Sequence, residues 1–295
     1  MVSFFIIYYF MNIKDCISNY SKILDSINND YKISFLEVNS IFMYILNMSK
    51  TQLISNSYRI LTEEEKLSIE NLINRRLKYE PLAYLINRKE FYGYDFYVDE
   101  NVLIPRPETE ELIDLVRDYI GTKNTENISV IDIGSGSGNI SITLKKLFRS
   151  INITALDISI DAINVLKKNV DFLLDNSINI INADALTYNP NNKFDIVVSN
   201  APYVPLRDKE YLQKDLEYEP EIALYSGYEG INFYKSFLYK VNNYIKKSGS
   251  FFFEIGYDQG NLLLEIANDI GIKNVSVKKD LSGRDRFLIC DYFDY

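Results

Sequence analysis

Apolar residues recur at helical spacing in the first third of the chain and gather into short β-type blocks in the remainder. Ile13, Ile17, Tyr20, Ile23 and Leu24 fall on one stripe, and Phe35, Leu36, Ile41, Met43, Tyr44 and Ile45 repeat the pattern. Thr62 followed by Glu65 reads as a capping box. The helix it opens runs through Leu67, Ile69, Leu72, Ile73 and Leu77. Strand alternation is missing from residues 11–84, so a small helical bundle is expected there. Residues 91–98 are aromatic and β-prone, with Asp99, Glu100 and Asn101 as a turn, and predict a β-hairpin between two domains. Pro105 and Pro107 keep the backbone extended before a helix near Glu108.

From Ser129 onward, strands are predicted at 129–133, 153–157, 178–181, 194–199, 249–255, 275–278 and 286–292, with helices between most of them. This order predicts an α/β fold, a doubly wound, mostly parallel seven-stranded sheet that binds its ligand at the carboxyl ends of the strands. The expected divisions are 1–88 for an N-terminal extension and helical domain, 89–106 for the hairpin linker and 107–295 for the sheet domain.

Composition narrows the chemistry. The chain has no histidine, which removes a Ser-His-Asp hydrolase and a His-ligated zinc enzyme. A net charge of −9 argues against phosphate-backbone binding. The densest basic stretch, Arg75, Arg76, Lys78, Arg88 and Lys89, reads as a solvated helix face. Cys16 and Cys290 form no CxxC and are expected to be free and partly buried, as in a reducing, cytoplasmic compartment. The apolar run at residues 2–10 is too short to span a bilayer, which needs ~20 residues. It reads as a non-structured or packed extension, with Met11 as the start of the folded protein.

Two segments carry candidate chemistry. The first is Asp132 followed by Gly134, Ser135, Gly136, Ser137 and Gly138, which gives DxGxGxG at a strand end. Missing Cβ atoms let the backbone turn sharply and a ligand approach closely. Position 139 is Asn, so the spacing departs from the pyrophosphate-binding GxGxxG. Asp157 ends the next predicted strand and can accept from both hydroxyls of a ribose. Asp184 follows the third strand and can accept from an adenine amine, while Ala185 offers an adjacent N–H.

The second segment is Asn200-Ala201-Pro202-Tyr203 after an apolar strand. The Asn200 oxygen can accept one hydrogen of a planar NH2 group, and the Ala201 carbonyl can accept the other. Pro202 favours the extended conformation at 201 that turns this carbonyl outward. The Tyr203 ring can pack on the flat face of an amide. Each element alone also fits a plain turn or cap. Their order along one sheet edge points to methyl transfer from S-adenosylmethionine to a planar nitrogen, with no metal.

These residues resemble the release factor glutamine methyltransferase family (HemK/PrmC-like, class I). The resemblance runs from about Met11 to Asp291. It includes Glu80-Pro81-Leu82-Ala83-Tyr84-Leu85, Glu90-Phe91-Tyr92-Gly93, Leu103-Ile104-Pro105-Arg106-Pro107-Glu108-Thr109-Glu110, the glycine turn, Asp157-Ile158-Ser159 and Asn200-Ala201-Pro202-Tyr203. It continues in Tyr218-Glu219-Pro220, Ala223-Leu224, Glu254-Ile255-Gly256 and residues 280–286. The resemblance implies an N-terminal domain that helps dock a peptide chain release factor, and a C-terminal domain that N5-methylates the glutamine of its Gly-Gly-Gln motif. It implies that Asp132, Gly134 to Gly138, Asp157, Asp184, Ala185 and Asn200 hold S-adenosylmethionine. Asn200 to Tyr203 would hold the glutamine. Ala201 stands where the family usually has proline, which predicts a looser loop with its carbonyl retained. A monomer with a protein partner, no direct nucleic acid and no membrane is expected. The alternatives are an adenine-N6 methyltransferase, because the same loop suits any planar NH2, and a non-catalytic binder of the termination factor.

Overall fold

The computed structural model describes residues 12–122, 127–174 and 178–293. The apolar run at residues 2–10 lies outside them, as does Met11. The chain divides into two compact units, Met1–Asn87 and Arg88–Tyr295. The hairpin expected as a separate linker therefore belongs to the second unit.

The first unit contains α1 (Ile13–Asn28), α2 (Tyr31–Leu46), α3 (Lys50–Ser55), α4 (Glu63–Arg76) and α5 (Leu82–Leu85). Asn12, Asp30, Ser49 and Thr62 cap the first four, and Thr62 with Glu65 closes the expected capping box. On α2 the buried face is Ser34, Val38, Ile41 and Phe42, whereas Phe35, Leu36 and Tyr44 are exposed. That helix is apolar on most of its circumference, so periodicity could not choose its inner face; packing against α1 and α4 does. The basic stretch is also not one solvated face. Arg76 is buried, with its guanidinium on the Glu37 carboxylate at 3.0 Å. Arg75 pairs with Glu80, and Arg88 with Asp95 at 2.6 Å.

The second unit opens with the hairpin of β1 (Lys89–Phe91) and β2 (Tyr94–Phe96). Its turn is at Tyr92 and Gly93, both with positive φ, rather than at residues 99–101. Helix α6 (Glu108–Gly121) follows, starting where Pro107 requires. Then come β3 (Ser129–Ile133), α7 (Asn139–Leu147), β4 (Asn152–Asp157), α8 (Ile160–Leu173), β5 (Asn179–Asn182) and β6 (Phe194–Ser199). After a long connection with α9 (Glu221–Leu224), α10 (Asn232–Leu238) and α11 (Val241–Tyr244), the unit ends in β7 (Ile245–Glu254), α12 (Gly260–Asp269), β8 (Val275–Lys279) and β9 (Asp285–Cys290).

The seven-stranded sheet has the order β5-β4-β3-β6-β7-β9-β8, with β9 antiparallel to both of its neighbours and the other pairs parallel. Side chains alternate between the faces: Val130, Ile196 and Val198 join the cluster under α6, α7 and α8, while Ile131, Val197, Phe251 and Phe253 join the cluster with Phe237, Tyr244 and Leu263. Strand order reverses between β3 and β6, and register aligns their ends: Ile133 pairs with Leu156 on one side and with Ser199 on the other. Such a switch point opens a crevice at the carboxyl edge. Among the described residues no helix is long and apolar enough to cross a membrane.

Candidate active site

The crevice at that edge is a cavity of ≈ 280 Å³. The turn after β3 forms its floor. Gly134, Gly136 and Gly138 all have positive φ, a conformation that side chains with Cβ resist. The Gly134 and Ser135 amides donate to the Leu156 carbonyl at 2.8 and 3.1 Å, tying the turn to β4. The Gly136 amide donates to Asp157 Oδ2 at 2.8 Å. A Cβ on Gly136 would meet nothing within 4 Å, so that position faces open space. At Gly138 it would come within 2.1 Å of Leu166 Cδ1.

The expected cofactor residues therefore separate into two groups. Gly134, Ser135, Gly136, Ser137, Asp157, Asp184, Ala185 and Asn200 line the cavity. Asp132 and Gly138 are not among the residues that line it. Asp132 is fully buried behind the turn, where its Oδ2 accepts from the Ser141 amide at 3.2 Å and the Ser141 hydroxyl at 2.5 Å. Burial pushes its carboxyl up to about 7. Gly138 gives the space that lets α7 pack on α8. Both shape the turn from behind.

Asp157 is nearly buried, and burial raises its pKa against the pull of backbone amides. Its Oδ1 accepts from the Ser159 amide at 2.9 Å. Each oxygen keeps a lone pair for a further donor. Asp184 Oδ1 accepts from the Leu186 amide at 2.8 Å, leaving Oδ2 for a ligand. The walls are apolar, with Val102, Leu103, Ile158, Leu186 and Phe233 among them.

A second cavity of ≈ 340 Å³ shares Leu103, Asn200, Ala201, Pro202 and Ala223 with the first and adds Arg106 and Tyr203. Tyr203 thus lines this cavity and not the first. The loop after β6 is the partition between the two spaces. Its side chains are held by long-range contacts. Asn200 Nδ2 donates to Thr109 Oγ1 at 2.9 Å, and Thr109 Oγ1 donates to Glu254 Oε2 at 2.7 Å. Tyr203 Oη donates to Glu254 Oε1 at 2.9 Å. Burial raises the pKa of Glu254, partly offset by the two hydroxyls and the Arg286 field. Burial and the Glu254 charge push the Tyr203 phenol well up, so it stays protonated.

The Ala201 amide donates to Tyr234 Oη at 3.1 Å. A proline here would have no such N–H. The freedom expected of alanine meets a tether that proline would not form. Arg106 caps the second cavity, paired with the buried Glu219 at 2.6 Å, and the Ile104 amide donates to the same carboxylate at 3.0 Å.

Two residues that line the first cavity carry a buried side-chain oxygen with no protein partner: Ser135 Oγ and Asn200 Oδ1. Buried polar atoms are normally satisfied, so both fit a polar ligand in this space. With the Cβ-free floor at Gly136 and the carboxylates at Asp157 and Asp184, the donor set suits a nucleoside carrying a polar tail. Among the described residues no group of three or more His, Cys, Asp or Glu side chains is placed to hold a metal ion.

Thr109, Glu254, Glu219 and Tyr234 were not assigned roles from sequence. Three of them stand inside quoted motifs, but a motif does not reveal which distant strand end a side chain reaches. Tyr234 carried no signal.

Residues 118–216 match the methyltransferase small domain family, and residues 28–86 match the PrmC N-terminal domain. The chain is 34% identical over 284 residues to a release factor glutamine methyltransferase of Clostridium acetobutylicum, covering 95% of this chain and 98% of that one. It is 32% identical to a bifunctional methyltransferase of Rickettsia bellii over 86% of this chain, and it spans half the length of that relative. A methyltransferase from Pyrococcus furiosus of known structure superposes with a TM-score of 0.51 at 15% identity over 75% of this chain and 98% of that one, a likeness of fold.

Proposed function

We propose a function from one premise: the chain belongs to the release factor glutamine methyltransferase family. On our reading it transfers a methyl group from S-adenosylmethionine to the side-chain nitrogen of the glutamine in the Gly-Gly-Gln motif of a peptide chain release factor. The observation that carries this reading is the unpartnered Asn200 oxygen in the partition between the two cavities.

Gly134, Ser135, Gly136 and Ser137 would cradle the cofactor, Asp157 would accept from its sugar, and Asp184 with Ala185 would meet its base. When bound, the cofactor supplies an electrophilic methyl on a sulfonium sulfur. An amide nitrogen is a poor nucleophile because its lone pair is delocalised into the carbonyl. Asn200 Oδ1 and the Ala201 carbonyl would each accept one of its hydrogens, which raises electron density on nitrogen; on taking the methyl the nitrogen would release one of these hydrogens as a proton to solvent, and the sulfur would be left as a neutral thioether. Pro202 holds the direction of that carbonyl, and the Tyr203 ring flanks the amide plane. Holding both reactants in line can lower the barrier by ~7–11 kcal/mol. The buried site adds fixed dipoles around the transferring charge.

We read the partner as a protein met in the cytoplasm, with the N-terminal helices helping to dock it. Isotope-labelled S-adenosylmethionine, offered with release factor, its Gln→Ala counterpart, duplex DNA and structured RNA, tests the reading. Label confined to the factor with its glutamine intact is expected. Label in nucleic acid would favour the adenine reading, and cofactor-independent binding of the factor would favour the non-catalytic binder.

A further inference from the structure

Glu254 ends β7 and Thr109 lies in the first turn of α6, and both are fully buried. Neither touches the first cavity, yet they decide which way Asn200 faces. Two hydroxyls converge on Glu254: Thr109 at 2.7 Å and Tyr203 at 2.9 Å. The two hydroxyls and the Arg286 charge favour the ionised form of Glu254, and a carboxylate only accepts. A threonine hydroxyl has one hydrogen, and here it goes to Glu254. The Thr109 oxygen can therefore meet Asn200 only as an acceptor. The Asn200 group 2.9 Å away must be its NH2. The oxygen is the other branch of the same planar group, turned away from Thr109, on a residue that lines both cavities, and the protein offers it no partner.

We infer that Thr109 and Glu254 are positioning residues that set the hydrogen-bond polarity of Asn200 and, through it, the selection of a carboxamide over a carboxylate. The inference rests on the reading of Asn200 as the residue that meets the substrate. An oxygen toward the cavity attracts an NH2 group and repels a carboxylate. Without the Thr109 hydroxyl, the Asn200 carboxamide has no reason to keep this orientation. Its NH2 can turn to the cavity, where it opposes an amide NH2 and welcomes a carboxylate. The same Glu254 holds the Tyr203 ring, so one buried charge orients both ends of the loop.

Thr109→Val removes the hydroxyl at nearly constant volume, and Thr109→Ser keeps it. The Val variant is expected to lose about tenfold or more in kcat/KM for the factor, the scale of one misdirected hydrogen bond. S-adenosylhomocysteine affinity measured by calorimetry stays near wild type. A release factor with Gln→Glu in its motif inhibits the Val variant better than it inhibits wild type. The Ser variant recovers most of the activity. Equal losses in Ser and Val, or an unchanged preference between the two factors, would overturn the inference.

A second readout is independent of turnover. In nitrogen-15 spectra, the Asn200 side-chain amide is assigned by its loss in Asn200→Ala. One of its hydrogens should exchange slowly with deuterated water in wild type and at least about tenfold faster in Thr109→Val. A fast-exchanging amide in wild type refutes the relay without any Thr109 variant. A protected amide in a wild-type protein that methylates no release factor refutes the proposed function while the relay stands.

Discussion

The glycine turn and the Asn200 loop follow adjacent parallel strands, β3 and β6, whose last residues pair as Ile133 and Ser199. They are built by opposite means. The turn is made by backbone: three glycines at positive φ, two amides on the Leu156 carbonyl and one on Asp157. The loop is made by side chains from far away in sequence: Thr109 on Asn200, Glu254 on Tyr203, Tyr234 on the Ala201 amide and Gln259 on the Tyr203 carbonyl at 2.8 Å. A backbone-built element depends on residue type at its own positions. A side-chain-built element depends on which elements meet, and single distant substitutions can loosen it.

The largest expected effect breaks the loop. Asn200→Ala should cut turnover by about two to three orders of magnitude, the scale for one preorganised hydrogen-bond partner. Calorimetry with S-adenosylhomocysteine should show affinity near wild type; equal loss of both would make Asn200 a structural residue. In the turn, Gly138→Ala brings a Cβ within 2.1 Å of Leu166 at φ +81. Overpacking and left-handed strain together should cost ~2–4 kcal/mol in denaturant unfolding. Gly136→Ala faces open space, so its cost should be only ~1–2 kcal/mol from strain, with the larger loss in cofactor affinity.

Asp157→Ala should weaken cofactor binding by ~1–3 kcal/mol, since buried acceptors are lost from the cavity. Unchanged affinity would remove Asp157 from the sugar-binding role. A smaller effect concerns the carboxyl behind the turn. Folding raises Asp132 from an ordinary 3.8 to about 7 because burial disfavours the charge, with the Ser141 hydrogen bonds pulling the other way and the Asp157 charge adding to the rise. The folded state prefers the protonated acid, so this contribution is whole below pH ~4 and declines as pH rises toward 7. Asp132→Asn should flatten that part of the stability–pH curve; an unchanged slope in thermal unfolding from acid to neutral pH would contradict it. The smallest effect is Tyr234→Phe, which unties the Ala201 amide and should cost ~1 kcal/mol. It should lower kcat more than it changes cofactor affinity.

Local patterns were legible wherever a short rule governs them. The seven strands of the sheet, the capping box at Thr62 and Glu65, and the start of α6 after Pro107 all follow from neighbouring residues. The inner face of α2 was not legible, because Phe35, Leu36, Val38, Ile41, Phe42 and Tyr44 are all apolar and only the partner helices select among them. Nor was the turn of the hairpin. Asp99, Glu100 and Asn101 are turn-forming residues by type, yet the chain reverses at Tyr92 and Gly93, and β2 ends at Phe96.

The candidate site divides along the same line. Residue types alone placed a glycine turn, carboxylates at strand ends and the Asn200 loop on one sheet edge, because each is a local arrangement repeated at a fixed place in the alternation of strands and helices. Which of those residues face the cavity, that Asp132 and Gly138 stand behind it, and that Thr109 and Glu254 orient Asn200 all emerged with the folded chain. The physical reason is separation. A hydrogen bond between residues 109 and 254 forms only after α6 has packed on the sheet and β7 has entered beside β6, and no pattern near either residue encodes that meeting.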